Sequence, residues 1–223
     1  MINKYIILDV PGVDRLDSEE MERLKKRFPR DLHSGEVVLL SPSRLNFEFM
    51  CSYLAWYGEV FTDPSTLVVF PGNGASIVRR YLPKGWLQTW NWTGVTAKRI
   101  WIPGEDPQTF VGRIADRMML GVKTVIIMDD VISSGATNKR IKQINEPWIP
   151  GATWEAYAWV RQKNANTRGF SRVNSSEWVG TFQQKAPINS LSTLLESPEI
   201  ARSYAERNFP DPAAFLAVLE ELR

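Results

Sequence analysis

The sequence predicts an α/β fold: a mainly parallel central sheet flanked by helices, with a helical C-terminal appendage. Short β-branched runs alternate with segments of helical period, which is the pattern of an α/β sheet. Four helices share one opening, a capping side chain followed by proline at the first helical position: Ser41-Pro42, Asp106-Pro107, Ser197-Pro198 and Asp211-Pro212. Val125 to Met128 is a short apolar run bounded by charges, which suits a central strand covered on both faces.

Taken in order, Tyr5 to Leu8 reads as the first strand. Asp17 offers an N-cap ahead of Met21, Leu24 and Phe28, whose spacing puts them on one helical face. Val37 to Leu40 is a second strand. After Ser41-Pro42, the residues Phe47, Met50, Cys51 and Leu54 share a face. Asp63-Pro64 departs from the proline rule, because the strand-like Leu67 to Phe70 follows it. Trp86 to Ile102 alternates around Thr93-Gly94 as a hairpin would. Asp106-Pro107 then opens a helix carrying Phe110, Ile114 and Met118 at regular intervals. Trp154 to Val160 is the last strand. Beyond about Lys185 the chain turns helical and polar, ending with Phe215, Leu219 and Leu222 along one face. The expected division is an α/β domain over 1–185, with its core at about 37–165, and the appendage over 186–223.

Composition excludes several function classes. The chain has 223 residues, enough for a sizeable core, with 43% hydrophobic and 23% charged residues. A formal charge of +2 and the lack of any basic block argue against a nucleic-acid partner. One cysteine, Cys51, rules out an internal disulfide; with one histidine, His33, it also rules out a zinc site built from Cys and His. His33 lies beside Asp31 and Ser34 in a polar stretch and reads as a surface residue rather than the base of a catalytic triad. The N-terminal MINKYIILDVPG has too short an apolar run for a signal peptide, and no segment approaches the length of a membrane span. The expectation is a cytoplasmic protein without a membrane partner.

The chemistry concentrates in Thr124 to Thr137, TVIIMDDVISSGAT. An apolar strand runs into two carboxylates, Asp129 and Asp130, and then into a small-residue loop, Ile132 to Thr137, ahead of a helix over about 136–144. In an open α/β sheet, ligands sit beyond the carboxyl ends of the strands. Small residues let successive N–H groups converge, and the new helix adds the positive end of its dipole, so this loop suits a phosphate. Gly135 permits the tight backbone; Ser133, Ser134 and Thr137 add hydroxyls. The two acids beside an anion site make sense if the ligand also carries adjacent hydroxyls, or a divalent cation. A phosphorylated ribose meets both demands. A Walker B strand would need a phosphate loop ending in Gly-Lys-Ser/Thr, which the chain lacks. A response-regulator acidic pocket would leave the Ser-Ser-Gly-Ala-Thr loop unexplained.

Val125 to Thr137 resembles the phosphoribosyl pyrophosphate (PRPP) binding motif of the type I phosphoribosyltransferases, which implies that family's fold. By this resemblance Asp129 and Asp130 hold the ribose 2′ and 3′ hydroxyls, and Ile132, Ser133, Ser134, Gly135, Ala136 and Thr137 wrap the 5′-phosphate. Ser134 stands where threonine is more usual and keeps the hydroxyl. One strand-helix unit upstream, Leu67 to Phe70 ends in Pro71-Gly72-Asn73-Gly74-Ala75-Ser76. This turn resembles the family's pyrophosphate loop, with Gly72, Asn73, Gly74 and Ala75 offering backbone amides and Arg79 and Arg80 further along. Lys98 and Arg99 are candidate pyrophosphate contacts from the segment where the family carries its flexible lid.

The resemblance implies displacement of pyrophosphate from PRPP by a small nitrogen base, with magnesium (Mg2+) reached indirectly from Asp129 and Asp130 through ribose hydroxyls or water. It also implies a homodimer. Ser133 stands where enzymes for 6-oxopurines carry an aspartate, so the base is expected to lie outside that class. A compact lid suits a second reading, a non-catalytic PRPP- or nucleotide-binding regulatory protein. The glycine turn favours the enzyme, because a sensor of mononucleotides does not need it.

Overall fold

A computed structural model describes residues 2–30, 35–100 and 108–223, and gives the backbone alone for 53–57, Arg99, Ile100 and Gln108. Asp31, His33 and Ser34 lie outside the described residues, as do Trp101, the Pro103–Asp106 stretch and the Asp106-Pro107 helix start. The described residues form ten strands: β1 (Lys4–Ile7), β2 (Val37–Leu40), β3 (Thr66–Pro71), β4 (Trp92–Val95), β5 (Ala97–Ile100), β6 (Gln108–Val111), β7 (Thr124–Ile132), β8 (Thr153–Gln162), β9 (Arg172–Val179) and β10 (Ile188–Ser190). The contacts divide the chain into two compact units, one of Met1–Leu45 with Gly180–Arg223 and one of Asn46–Val179.

The larger unit is built on a five-stranded sheet in the order β4-β3-β7-β8-β9, parallel throughout. This is the parallel central sheet flanked by helices that the sequence predicts. β7 is its middle strand, and Val125 to Met128 are fully buried, as an apolar run covered on both faces requires. Leu67, Val69, Val125 and Ile127 share a core with Ile141, which lies on the helix Ala136–Asn145. Several large aromatics fill the core, whereas Phe47, Phe110, Trp148, Trp178 and Phe182 are exposed. Trp159 is fully buried, with its indole N–H donating to Asn46 Oδ1 at 3.3 Å, and Trp90 stacks on Phe61 at 4.7 Å.

The smaller unit has a three-stranded parallel sheet, β10-β1-β2. Its core joins Ile6, Leu8, Leu24, Phe28 and Leu39 to Leu191, Leu194, Phe215 and Leu219 of the C-terminal segment. Asp17 caps the helix Ser18–Arg27 as read from the sequence, accepting from the Glu20 N–H at 2.8 Å while Glu20 Oε2 accepts from the Asp17 N–H at 3.0 Å, a capping box. Asp211 caps the helix Pro212–Glu221 by accepting from the Ala214 N–H at 2.9 Å, without a reciprocal bond because alanine stands at that position.

Four elements differ from expectation. Thr93-Gly94 is not a hairpin turn: both residues sit inside β4, which pairs in parallel with β3, Val69 opposite Thr93. Trp86 to Thr89 belongs to a helix, Lys84–Thr89, and the described remainder of the run is two strands broken at Thr96. Phe110 belongs to β6, not to a helix; β6 pairs antiparallel with β5, and Lys98 faces Phe110 across the pair. Strand pairing overrides the helical spacing there, and only Asp116–Met119 is helical. β9 and β10 went unread because both are short of apolar residues. Finally, the C-terminal helices do not stand apart as an appendage to a domain ending at 185. β10 pairs with β1, so the chain's two terminal segments build one unit.

Candidate active site

β7 runs to Ile132, so both acids lie within the strand rather than after it. Its pairing with β3 ends at Val69–Ile127, while its pairing with β8 continues to Ile132–Arg161. Where β3 passes into the helix Gly72–Tyr81, β7 goes on without a strand partner on that side, at the carboxyl ends of two neighbouring strands, which is where ligands of open α/β sheets sit. Successive side chains of a strand face opposite ways. Asp129 therefore follows Val125 and Ile127 onto the face packed by the helix Ala136–Asn145. Asp130 follows Ile126 and Met128 onto the other face, where the glycine turn begins.

The two acids are not equivalent. Asp129 is 8% exposed, whereas Asp130 is half-buried. Burial first, and then the neighbouring Asp130 charge, push the Asp129 carboxyl well above the ordinary range. Asp129 Oδ1 accepts from the Asp130 N–H at 3.0 Å, and Asp130 Oδ1 accepts from the Val131 N–H at 2.8 Å. Each carboxylate is thus oriented by the backbone of the next residue.

The glycine turn reaches Asp130 directly. A methyl group added at Gly74 would overlap the Asp130 carboxylate, with Cγ at 2.5 Å and Oδ2 at 2.7 Å. Gly72 has φ +65°, and a methyl group there would lie 2.8 Å from the Ala97 carbonyl oxygen in β5. Asn73 is exposed; Ala75 turns its side chain into the core. Lys98 is exposed one residue beyond Ala97, while the Arg99 side chain lies outside the described residues. Arg79 sits 4.8 Å from the Trp92 ring, a cation–π contact that gives it a packing role.

At the end of β7, Ile132 is buried against Ala156 and Ala158 and anchors the loop that follows. Gly135 takes φ +79° directly before the helix Ala136–Asn145, whose N terminus has no side-chain cap hydrogen bond. Ser134 Oγ accepts from the Ala136 N–H at 3.3 Å, which holds the loop in shape; Ser133 and Thr137 are half-buried. Two contributors were not read from the sequence. The Asn166 N–H donates to the Ser134 carbonyl at 3.0 Å, so the segment after β8 walls the loop. Asn138, on the first turn of the helix, has a buried side-chain nitrogen without a partner among the described residues. Nothing in the local sequence marks Asn166, whereas an asparagine at an inward helical position ahead of Ile141 was a readable anomaly.

No protein-family model matches the chain, and no curated protein matches it. Solved structures do resemble it. The Helicobacter pylori xanthine-guanine-hypoxanthine phosphoribosyltransferase is 12% identical over 67% of this chain and 86% of its own, with a TM-score of 0.48. A hypothetical protein from Neisseria gonorrhoeae with bound ppGpp is 14% identical over 82% of this chain and 93% of its own, with a TM-score of 0.48. The orotate phosphoribosyltransferase from Aeropyrum pernix is 16% identical over 62% and 71%, with a TM-score of 0.39. The functional reading rests on this chain's own residues. Among them, no helix is long and apolar enough to cross a membrane.

Proposed function

We infer that the chain is a magnesium-dependent phosphoribosyltransferase, moving the 5-phosphoribosyl group of PRPP to a nitrogen base with release of pyrophosphate. The observation that carries this reading is the meeting of Asp130 with Gly74. Two segments far apart in sequence, an acid pair and a glycine turn, meet at the carboxyl ends of β3 and β7. A ligand there has to combine an anion for the turn with hydroxyls for the acid. Its second phosphate would lie against Ser133 to Thr137, at the N terminus of the following helix.

In the reaction the bond from the anomeric carbon to pyrophosphate breaks as the base nitrogen attacks, and positive charge develops on the ribose. Asp130, the more exposed acid, accepts the ribose hydroxyls; Asp129 holds Asp130 in place through the bond to its N–H. The loop amides and hydroxyls fix the 5′-phosphate, so the ring is held while the leaving group departs. Catalysis is then positioning and electrostatics, with no covalent nucleophile. Magnesium keeps several waters and substrate phosphates, and needs only one or two protein carboxylates. Asp130, on the face of the glycine turn, would meet that need through ribose hydroxyls or water, with Asp129 acting through its bond to the Asp130 N–H; no cluster of three or more ligating side chains occurs among the described residues. When bound, the ion would neutralise charge on the departing pyrophosphate. Ser133, standing where the resemblance puts an aspartate in enzymes for 6-oxopurines, supports an acceptor outside that class. A homodimer and a cytoplasmic setting complete the proposal.

The test is to offer a panel of nitrogen bases with PRPP and magnesium, and to follow pyrophosphate release. Release with one base establishes the transferase and names its acceptor. Tight PRPP binding without release from any base replaces this reading with a non-catalytic PRPP- or nucleotide-binding regulator.

A further inference from the structure

The segment between β8 and β9, residues 163–171, is tied to the sheet at its ends. The Lys163 N–H donates to the Val179 carbonyl at 3.1 Å, and the Ser171 N–H to the Trp154 carbonyl at 2.8 Å. Between those ends Asn164, Asn166, Arg168 and Gly169 are exposed, while Ala165 and Phe170 pack, partly buried, against the cluster of Ile132, Ala156 and Ala158. A side chain from outside the segment also holds it. Lys142, on the helix Ala136–Asn145, donates from Nζ to the Gly169 carbonyl at 2.7 Å, with Glu146 Oε1 3.3 Å from the same nitrogen. Gly169 takes φ +88°, and a methyl group there would lie 3.2 Å from Lys142 Nζ. The loop after β7, the helix it starts and this segment therefore close a ring, joined at Ser134–Asn166 and again at Lys142–Gly169.

Resting on the reading of the loop after β7 as a phosphate seat, we propose that Lys142 is a positioning residue for that seat, acting through Gly169 and Asn166 rather than on the ligand. A hydrogen bond from an ammonium is stronger than one between neutral groups. Ordering an exposed segment costs backbone entropy, and this bond offsets part of that cost before a ligand arrives. With the segment in place, Asn166 occupies the Ser134 carbonyl and fills the space beside Gly135, so the loop is held in one shape. A seat shaped in advance binds more tightly than one the ligand has to order. Lys142 lies about two turns along the helix from Gly135, and its ammonium is engaged by Gly169 and Glu146, so its effect passes through the wall.

The experiment is calorimetric titration of the full chain with ribose 5-phosphate, at a temperature well below every variant's melt, where lost stability alone leaves affinity unchanged. Lys142→Met keeps the stem and removes the donor, Lys142→Arg keeps charge and donor, and Gly169→Ala disturbs the same contact without changing charge. Lys142→Met is expected to bind about tenfold more weakly, as loss of a hydrogen bond to a charged group allows. Lys142→Arg should recover most of that loss, and Gly169→Ala should share it. The double variant Lys142→Met with Gly169→Ala should lose no more than the larger single loss, since both act through one contact. Unchanged affinity in Lys142→Met, or a loss that Gly169→Ala does not share, overturns the positioning role and leaves the phosphoribosyltransferase reading standing; the second result would assign the loss to charge alone. Failure of wild type to bind ribose 5-phosphate overturns both.

Discussion

The Asn166 backbone N–H donates to the Ser134 carbonyl at 3.0 Å, and the Asn166 carbonyl lies so close to Gly135 that a methyl group there would find its carbon at 3.1 Å and its oxygen closer still. The loop after β7 is therefore held from two sides, by its own strand and by the segment that follows β8.

Gly135→Ala is the first consequence. The position needs φ +79°, which a side chain disfavours, and offers no room for one. The variant is expected to lose about 1–3 kcal/mol of stability and most of its affinity for ribose 5-phosphate. A thermal melt and a binding titration on the same sample read both.

The two acids should respond unequally. Asp130→Asn is expected to weaken ribose 5-phosphate binding by about 1.5–3 kcal/mol, as loss of a charged acceptor does. Asp129→Asn should weaken it less, because burial already holds that carboxyl toward its neutral form. Equal losses in parallel titrations would place both side chains on the ligand and refute the distinction.

Asn138, on the first turn of the helix Ala136–Asn145, carries a buried nitrogen without a partner among the described residues. Such a group destabilises a protein by about 1–3 kcal/mol. Asn138→Leu should raise the melting temperature while weakening ribose 5-phosphate binding, which marks a donor kept for a ligand. A rise in stability with unchanged binding would make the asparagine a packing defect.

Tyr204, in the smaller unit, gives the comparison away from the site. Its hydroxyl is buried without a partner among the described residues, and burial raises its pKa above 10.0. The folded state favours the neutral form, so this contribution to stability is complete below about pH 10, the ordinary tyrosine value, and is lost as pH rises through the folded value. Tyr204→Phe should gain about 1 kcal/mol at neutral pH and lose less stability than wild type above pH 10, with ligand binding untouched. Melting curves across that pH range decide it.

Periodicity and capping made much of this molecule legible. β7, the glycine turn after β3 and the capping residues Asp17 and Asp211 all declare themselves locally, because a buried apolar run or a capped first turn depends on few neighbours. The misread elements depend on partners. Thr93-Gly94 looks like a turn until β3 claims it as strand, and Phe110 keeps helical spacing with Ile114 while pairing across to Lys98. The site shows the same division. Asp129 and Asp130 were visible as a pair, but their inequivalence follows from the alternation of a strand that continues beyond β3. Asn166 was invisible, because its role is made by its backbone.

The central claim is that the glycine turn and the loop after β7 hold the two ends of one ligand. Backbone amide chemical shifts, followed by NMR during separate titrations with ribose 5-phosphate and inorganic pyrophosphate, test it most directly. Ribose 5-phosphate should move the amides of Ser134 to Thr137, and pyrophosphate those of Gly72 to Ala75. Shifts that leave both segments untouched at saturating ligand would contradict the account.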